Sequence, residues 1–397
     1  MQKKTIRDIE VAGKRVLVRV DFNVPLDMNT GAISDDSRIR ASLPTINYLV
    51  EHKARIILCS HLGRPKGSVV EELRIGPVAE HLSNLIGLPV STVRDCVGQE
   101  VQNKVNALKE GDILFLENLR FHPEEEANDT HFARELARLA DIYVNDAFGT
   151  AHRAHASTVG VAKYLPAVAG FLMETELTVM SKLLRAPEHP FACIIGGAKV
   201  SDKIGLVQNM LKKVDILLVG GGMAATFLKA QGHETGHSPI EEDKLNLAKK
   251  LLKEAEEWEV PLLLPIDAVI ADEIKAGVPT KVVPTAQIPP GTYIVDIGPQ
   301  TIELFSSELR KCRTIIWNGP MGIYEIPQYA RGTRAIANLL ANVNSTTIIG
   351  GGSSAEIVEE MELTNKMTHV STGGGASLRL LEGVALPGVE ALLNKSE

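Results

Sequence analysis

The sequence predicts an α/β protein of two doubly wound, Rossmann-like parallel-sheet domains that face a cleft and are joined by a connecting helix. Three observations carry this expectation. The 397 residues are 44% apolar and 23% charged, enough for two cores of ordinary size. Short β-branched runs alternate with longer segments of helical period almost throughout, as when parallel strands are joined by crossover helices. The apolar runs of the first half lead into arginine and histidine, whereas those of the second half lead into glycine.

In the first half, Val16 to Val20, Ile56 to Cys59, Ile113 to Leu116 and Ile142 to Val144 read as strands, followed by DFN, SHLGR, ENLR and NDAFGTAHR. An amphipathic stretch from Phe171 to Leu184 then runs into APEHP, whose two prolines make a natural break near residues 186 to 190. The domains are therefore placed at 1–170 and 188–387, with a connecting helix over 171–187. In the second half the strands lead into the glycine runs of ACIIGGAK, ILLVGGGM, TIIWNGPMG, TTIIGGGSS and HVSTGGGAS. A scaffold helix is expected in HSPIEEDKLNLAKKLLKEAEEW, with Ser238 as N-cap, Pro239 at N1 and Glu241 closing a capping box. Leu245, Ala248, Leu252, Ala255 and Trp258 form its apolar stripe.

Composition excludes several classes. A net charge of −7 and 4% aromatic residues argue against a nucleic-acid surface, which needs basic patches and stacking platforms. MQKKTIRDIE has no apolar stretch behind its basic residues, and no run approaches the ~18 apolar residues of a membrane span. A cytoplasmic protein without membrane or nucleic-acid partners is expected. Cys59, Cys96, Cys193 and Cys312 are scattered singly, without metal-ligand spacing, and read as buried hydrophobes.

The strand ends carry the chemistry. Asp21 and Asn23, two apart before Pro25, point the same way and suit the hydroxyls of a small polar substrate. An Asx turn would explain that pair equally well. The company of Arg38, His61, Arg64, Arg120, His152, Arg153 and His155 favours binding of a small, highly charged anion by guanidinium forks. In IIGGAKVSDKIG, Lys199 and Lys203 flank a helix start with Ser201 as N-cap. In IIGGGSSAEIV, Ser353 and Glu356 form a capping box after three glycines, and VSTGGGASLRLLEG repeats the device. Glycine-fronted helix starts of this kind cradle a longer phosphate chain. G-x-S-x-G, D-F-G and a helix-opening G-x-G-x-x-G are absent, which disfavours hydrolase, protein-kinase and dehydrogenase readings. Two unlike phosphate sites imply transfer between them, and an acceptor that is already an anion needs alignment and charge neutralisation rather than a general base. A non-catalytic two-domain anion- or nucleotide-binding protein is the alternative.

RVDFNVPL, SHLGRP, ENLRFHPEE, NDAFGTAHRAHAST, GGAKVSDKIG, WNGPMGIYE, IIGGG and HVSTGGGASL, in this order from residue 19 to residue 378, resemble the phosphoglycerate kinase family. The resemblance implies a monomeric, cytoplasmic glycolytic enzyme that exchanges a phosphoryl group between 1,3-bisphosphoglycerate and ADP, giving 3-phosphoglycerate and ATP. It implies magnesium as cofactor, hinge-bending domain closure and in-line transfer. Asp21, Phe22, Asn23, Arg38, His61, Leu62, Gly63, Arg64, Arg120 and Arg153 would bind the glycerate ligand. Lys199, Lys203, Gly221, Gly222, Asn318, Pro320, Glu325, Gly351, Gly352, Ser353 and Ser354 would bind the nucleotide. Arg38, Lys199, Gly351 and Gly374 would serve the transferring group, and residues 388–397 would complete the first domain. Many members carry aspartate where this chain has Ser353; serine keeps the N-cap but is a weaker magnesium ligand.

Overall fold

The computed structural model describes residues 2–27 and 30–395. The chain divides into two compact units, Met1–Val179 with Ala385–Glu397, and Met180–Val384. The division falls inside the helix Phe171–Arg185 and not at the APEHP break. The physical reason lies in what each end of that helix touches. Its start belongs to the first unit, where Phe171 packs edge-on against Tyr48 at 5.2 Å and Glu174 pairs with Arg7. Its end accepts from the second unit's Lys213 through the Leu184 carbonyl, at 3.4 Å.

The first unit is built on six parallel strands, β1 (Arg15–Arg19), β2 (Arg55–Cys59), β3 (Val90–Thr92), β4 (Ile113–Phe115), β5 (Ile142–Asn145) and β6 (Ala167–Ala169). Their order is β3-β4-β2-β1-β5-β6. Val16 of β1 sits beside Ile56 of β2 and Ile142 of β5. These central strands are covered on both faces, which is why they read as continuous apolar runs. Strand order reverses at β1, so a crevice opens beyond the carboxyl ends of β1 and β5. The last residues close the same unit: the Gly388 N–H donates to the Ala151 carbonyl at 2.9 Å, and that of Leu393 to Ala167 at 2.9 Å.

The second unit repeats the plan with β7 (Phe191–Ile195), β8 (Ile216–Val219) and β9 (Leu262–Leu263). After β10 (Asp267–Ala271), β11 (Thr280–Pro284) and β12 (Tyr293–Ile297) come β13 (Thr314–Asn318), β14 (Thr346–Ile349) and β15 (His369–Val370). The parallel sheet runs β15-β14-β13-β7-β8-β9, reversing at β7. An antiparallel sheet, β11-β10-β12, is an addition to the uniform alternation expected from sequence. Segment 272–279 is too short for a crossover helix, so β10 and β11 pair as an antiparallel hairpin, and β12 pairs antiparallel with the other edge of β10.

The scaffold helix also differs from expectation. It runs Leu245–Glu257 behind a 3₁₀ turn at Glu242–Lys244, and Ser238 caps nothing. The Ser238 hydroxyl instead accepts from the Ile294 N–H at 2.8 Å, and Glu241 accepts from the Ser201 N–H at 3.0 Å. Leu251, which lay outside the expected stripe, is buried with Ala248 and Ala255, while Trp258 is 43% exposed. The capping signature lost because its groups found partners at a distance in sequence.

Candidate active site

In the first unit the residues that follow β1, β2, β4 and β5 meet at one end of the sheet. Asp21 is nearly buried; its Oδ2 lies 3.4 Å from Arg38 Nη1, and its Oδ1 makes no hydrogen bond among the described residues. Asn23 Oδ1 accepts from the Gly63 N–H at 2.8 Å. Arg120 donates to the Gly63 carbonyl at 2.9 Å and lies 3.1 Å from Glu126. A strap of hydrogen bonds thus ties the ends of β1, β2 and β4 together. Arg38 stands in the first turn of the helix Ser37–Glu51, half-buried and aimed back at Asp21. Arg64 and Arg153 are exposed, and Arg153 Nε lies 3.2 Å from His152 Nε2.

Phe22 and Leu62 reach the site only as backbone. Both side chains are core, and their N–H groups are taken by Ser60 at 2.9 Å and Asn118 at 3.2 Å. His61 is 5% exposed, and its imidazole is held well below the ordinary range by burial first, then by the positive field of Arg19, Arg120 and Arg38 and by His155. His155 is pushed down to about 4 by burial and by Arg19, Arg120 and Arg153. An excess of fixed positive charge faces this opening, and a multiply charged anion is what it would stabilise.

In the second unit backbone replaces side chains. Gly221 has φ +66°, and a Cβ there would lie 2.6 Å from the Gly197 nitrogen and 2.7 Å from the Pro320 carbonyl. A Cβ on Gly374 would meet the Gly352 nitrogen at 2.7 Å. These close approaches pack the loops after β7, β8, β13, β14 and β15 against one another. Beside them a largely apolar cavity of about 280 Å³ opens, with Gly221, Gly222, Pro320 and Glu325 in its wall. Lys203 Nζ donates to the Asn318 carbonyl at 2.8 Å, and burial pulls its ammonium down to about 8. Asn318 is buried, and its Nδ2 has no hydrogen-bond partner among the described residues. That amide lies 3.1 Å from where a Cβ on Gly351 would stand, so a donor faces the start of the helix Gly352–Glu360.

Three expected caps are absent. The helix after Lys199 starts only at Ile204, with Lys203 itself at the N-cap position, so Ser201 caps nothing. Gly351 and Gly373 occupy the N-cap positions of Gly352–Glu360 and Gly374–Leu381, with no side-chain cap. Ser353 therefore lies inside its helix, beside Tyr324, whose hydroxyl donates to Glu356 Oε2 at 3.2 Å. Ser354 is fully buried; its Oγ accepts from the Gly319 N–H at 2.7 Å, a strut between this helix and the loop after β13. Lys199 is exposed. Among the described residues the N-cap positions of these helices carry no side-chain cap, which suits an external anion.

Sequence reasoning missed Arg19, Glu125, Ser157, Asn118 and Tyr324. Arg19 left a signal, a charge inside the run VLVRV of a strand buried on both faces. The fold also brings Asp95, Cys96 and His122 within 4.8 Å of one another, a grouping that spacing did not reveal. These groups satisfy each other and the backbone: His122 Nε2 meets Asp95 Oδ1 at 2.7 Å and Cys96 Sγ donates to the Glu117 carbonyl at 3.0 Å. Among the described residues no helix is long and apolar enough to cross a membrane.

A family model, "Phosphoglycerate kinase", matches residues 6–384. The chain is 57% identical over 395 residues to a phosphoglycerate kinase of Pelotomaculum thermopropionicum, with all of both chains covered. It is 57% identical over 399 residues to that of Dictyoglomus turgidum, again over the full length of both. Among solved structures, phosphoglycerate kinase from Coxiella burnetii is similar at 40% identity and a TM-score of 0.88. That from Pyrococcus horikoshii is similar at 33% identity and 0.86; in each case 98% of both chains is covered.

Proposed function

The chain belongs to the phosphoglycerate kinase family, and from that premise we infer how its two units share the reaction. The protein is a phosphotransferase of glycolysis, exchanging a phosphoryl group between 1,3-bisphosphoglycerate and ADP. What we propose is the assignment of parts. The first unit's basic opening holds the glycerate ligand: Arg120, Arg64 and Arg153 take its phosphate, and Asp21 Oδ1, which makes no hydrogen bond among the described residues, takes its hydroxyl. Arg38 swings from its long contact with Asp21 to neutralise charge on the transferring group. The apolar cavity takes the nucleotide's base, Glu325 its ribose, and Lys203, Asn318 and the uncapped N–H groups at Gly351 to Ser353 and Gly374 its phosphates. The observation that carries this assignment is that each anion site stands at the carboxyl edge where its own parallel sheet reverses strand order.

Magnesium belongs to the proposal as well. Hard oxygen donors suit it, and the start of the helix Gly352–Glu360 supplies the Ser353 hydroxyl and the Glu356 carboxylate. When bound, the ion would neutralise charge on the nucleotide phosphates. The protein's share is to bind both ligands, close by hinge-bending so that they align, and exclude water, with no group required to take a proton from the acceptor. We propose that it works as a cytoplasmic monomer on small-molecule partners only, a reading the net charge of −7 supports against nucleic acid.

The test is a coupled assay of ATP and 3-phosphoglycerate consumption over a magnesium titration, with 1,3-bisphosphoglycerate trapped as it forms. Turnover that requires both substrates and the metal is expected. Turnover unchanged when chelator removes magnesium would overturn the metal assignment, and ATP use without 3-phosphoglycerate would overturn the acceptor.

A further inference from the structure

We propose that His61 works as a neutral imidazole that offers its Nε2–H to the glycerate ligand, a form imposed by a buried relay of Arg19, Ser157 and Glu125. With Glu125 as the carboxylate that balances Arg19, every hydrogen-bond direction in that relay follows from donor chemistry. Arg19 closes β1 and is 1% exposed. Its Nη1 donates to the Val20 carbonyl, its Nε to Ser157 Oγ at 2.9 Å, and its Nη2 meets His61 Nδ1 at 3.2 Å. A guanidinium has five donors and no acceptor, so Nδ1 must present its lone pair and the ring proton must sit on Nε2. The Ser157 hydroxyl, already accepting from Arg19, must give its own proton to Glu125 Oε1, at 2.6 Å. Glu125 Oε2 accepts from the Ser157 N–H at 2.9 Å, and the Tyr143 hydroxyl holds the Ser157 carbonyl at 2.8 Å.

Glu125 is fully buried, and it is the counter-charge that lets a guanidinium lie in the core. Through Ser157 it fixes where Arg19 points, and through Arg19 it fixes which nitrogen of His61 is basic. Arg19, Ser157 and Glu125 are positioning residues in this scheme. The charged and titratable groups that face His61 are Arg19 and Asp21 from the end of β1, Arg38 from the helix Ser37–Glu51, Arg120 after β4 and His155 after β5. Asp21 Oδ1 is the one carboxylate oxygen near Nδ1 among the described residues, and at 3.8 Å it is beyond hydrogen-bonding reach. Cations and burial oppose a second proton on the ring. His61 then adds a directed donor without adding a charge, and the field of the opening stays that of its arginines across the physiological range.

The tautomer does not depend on the function proposed above, whereas the ligand contact rests on it, and one experiment separates them. In protein labelled with ¹⁵N-histidine, long-range proton–nitrogen correlation reads both ring nitrogens, with the His61 signals identified by their loss in His61→Gln. Expected are a protonated Nε2, an unprotonated Nδ1 and no titration between pH 5 and 8. A protonated Nδ1, or a midpoint near the ordinary histidine value, would overturn the proposal in the wild-type protein alone. Ser157→Ala should break the relay, bringing in the second tautomer and raising KM for 3-phosphoglycerate about tenfold with KM for ATP unchanged. Glu125→Gln, which keeps the shape, should also disturb the His61 signals, and signals unchanged in both variants would remove the relay. If 3-phosphoglycerate leaves the Nε2 resonance unmoved, the ligand contact is wrong and the tautomer assignment stands.

Discussion

In the proposed assignment the two units reach the same end, an anion site at a sheet's switch point, by opposite means. The first uses charged side chains, and each buried cation brings a supporting structure with it: Arg19 has Glu125, and Arg120 has Gly63 and Glu126. The second uses backbone N–H groups, which need no counter-charge but demand loops packed so closely that a methyl group would not fit at Gly221 or Gly374. Side-chain recognition is therefore exposed to changes of charge, and backbone recognition to changes of volume.

That contrast can be broken from either side. The largest effect is expected at Arg38→Ala, where steady-state kinetics should show kcat reduced by about 10³-fold with ADP affinity within twofold, on the scale of removing one preorganised charge donor. Near-normal kcat would remove Arg38 from the catalytic set. Gly221→Ala comes next, because it combines a φ of +66° with a contact of 2.6 Å to the Gly197 nitrogen. Calorimetry should show nucleotide affinity weakened by about 10- to 100-fold, from ~1–3 kcal/mol of strain, with 3-phosphoglycerate binding unaffected. Equal losses for both ligands would mean that the substitution unfolds more than its own site.

The half-buried ammonium of Lys203 sharpens the comparison through pH. Free Lys203 titrates at about 8, and bound phosphate favours its charged form, so the complex holds more protons than its parts above that pH. Nucleotide affinity should fall as pH rises from about 8 toward the ordinary lysine value of 10.5, with proton uptake on binding. Calorimetry in buffers of different ionisation enthalpy measures that uptake, which Lys203→Met should abolish. The smallest effect is expected at Ser353→Asp. A second carboxylate near Glu356 should tighten apparent magnesium affinity during turnover by about three- to tenfold. An unchanged magnesium titration would show that Ser353 does not face the metal.

Much of the site was legible because function sits at strand ends, and strand ends are marked by where an apolar run stops. His61 and Arg120 are proposed on that ground, and Gly221 and Asn318 on the family resemblance. Ser238, Ser201 and Ser353 were misread because each stands in a local capping pattern that competes with a long-range partner or with glycine in the N-cap position. Local spacing records which bonds a residue can make, and only packing settles which bond it makes. Phe22 and Leu62 show the same limit, since the run containing them names the site while their side chains belong to the core.

By itself the sequence determined the α/β class and the family, because hydrophobic period and motif order are properties of the chain. Tertiary structure decided the antiparallel β11-β10-β12 sheet, the unit boundary inside Phe171–Arg185 and the relay that connects Glu125 to His61. Each of these depends on which distant groups become neighbours. A buried charge such as Arg19 acquires its role only from the carboxylate that the fold carries to it.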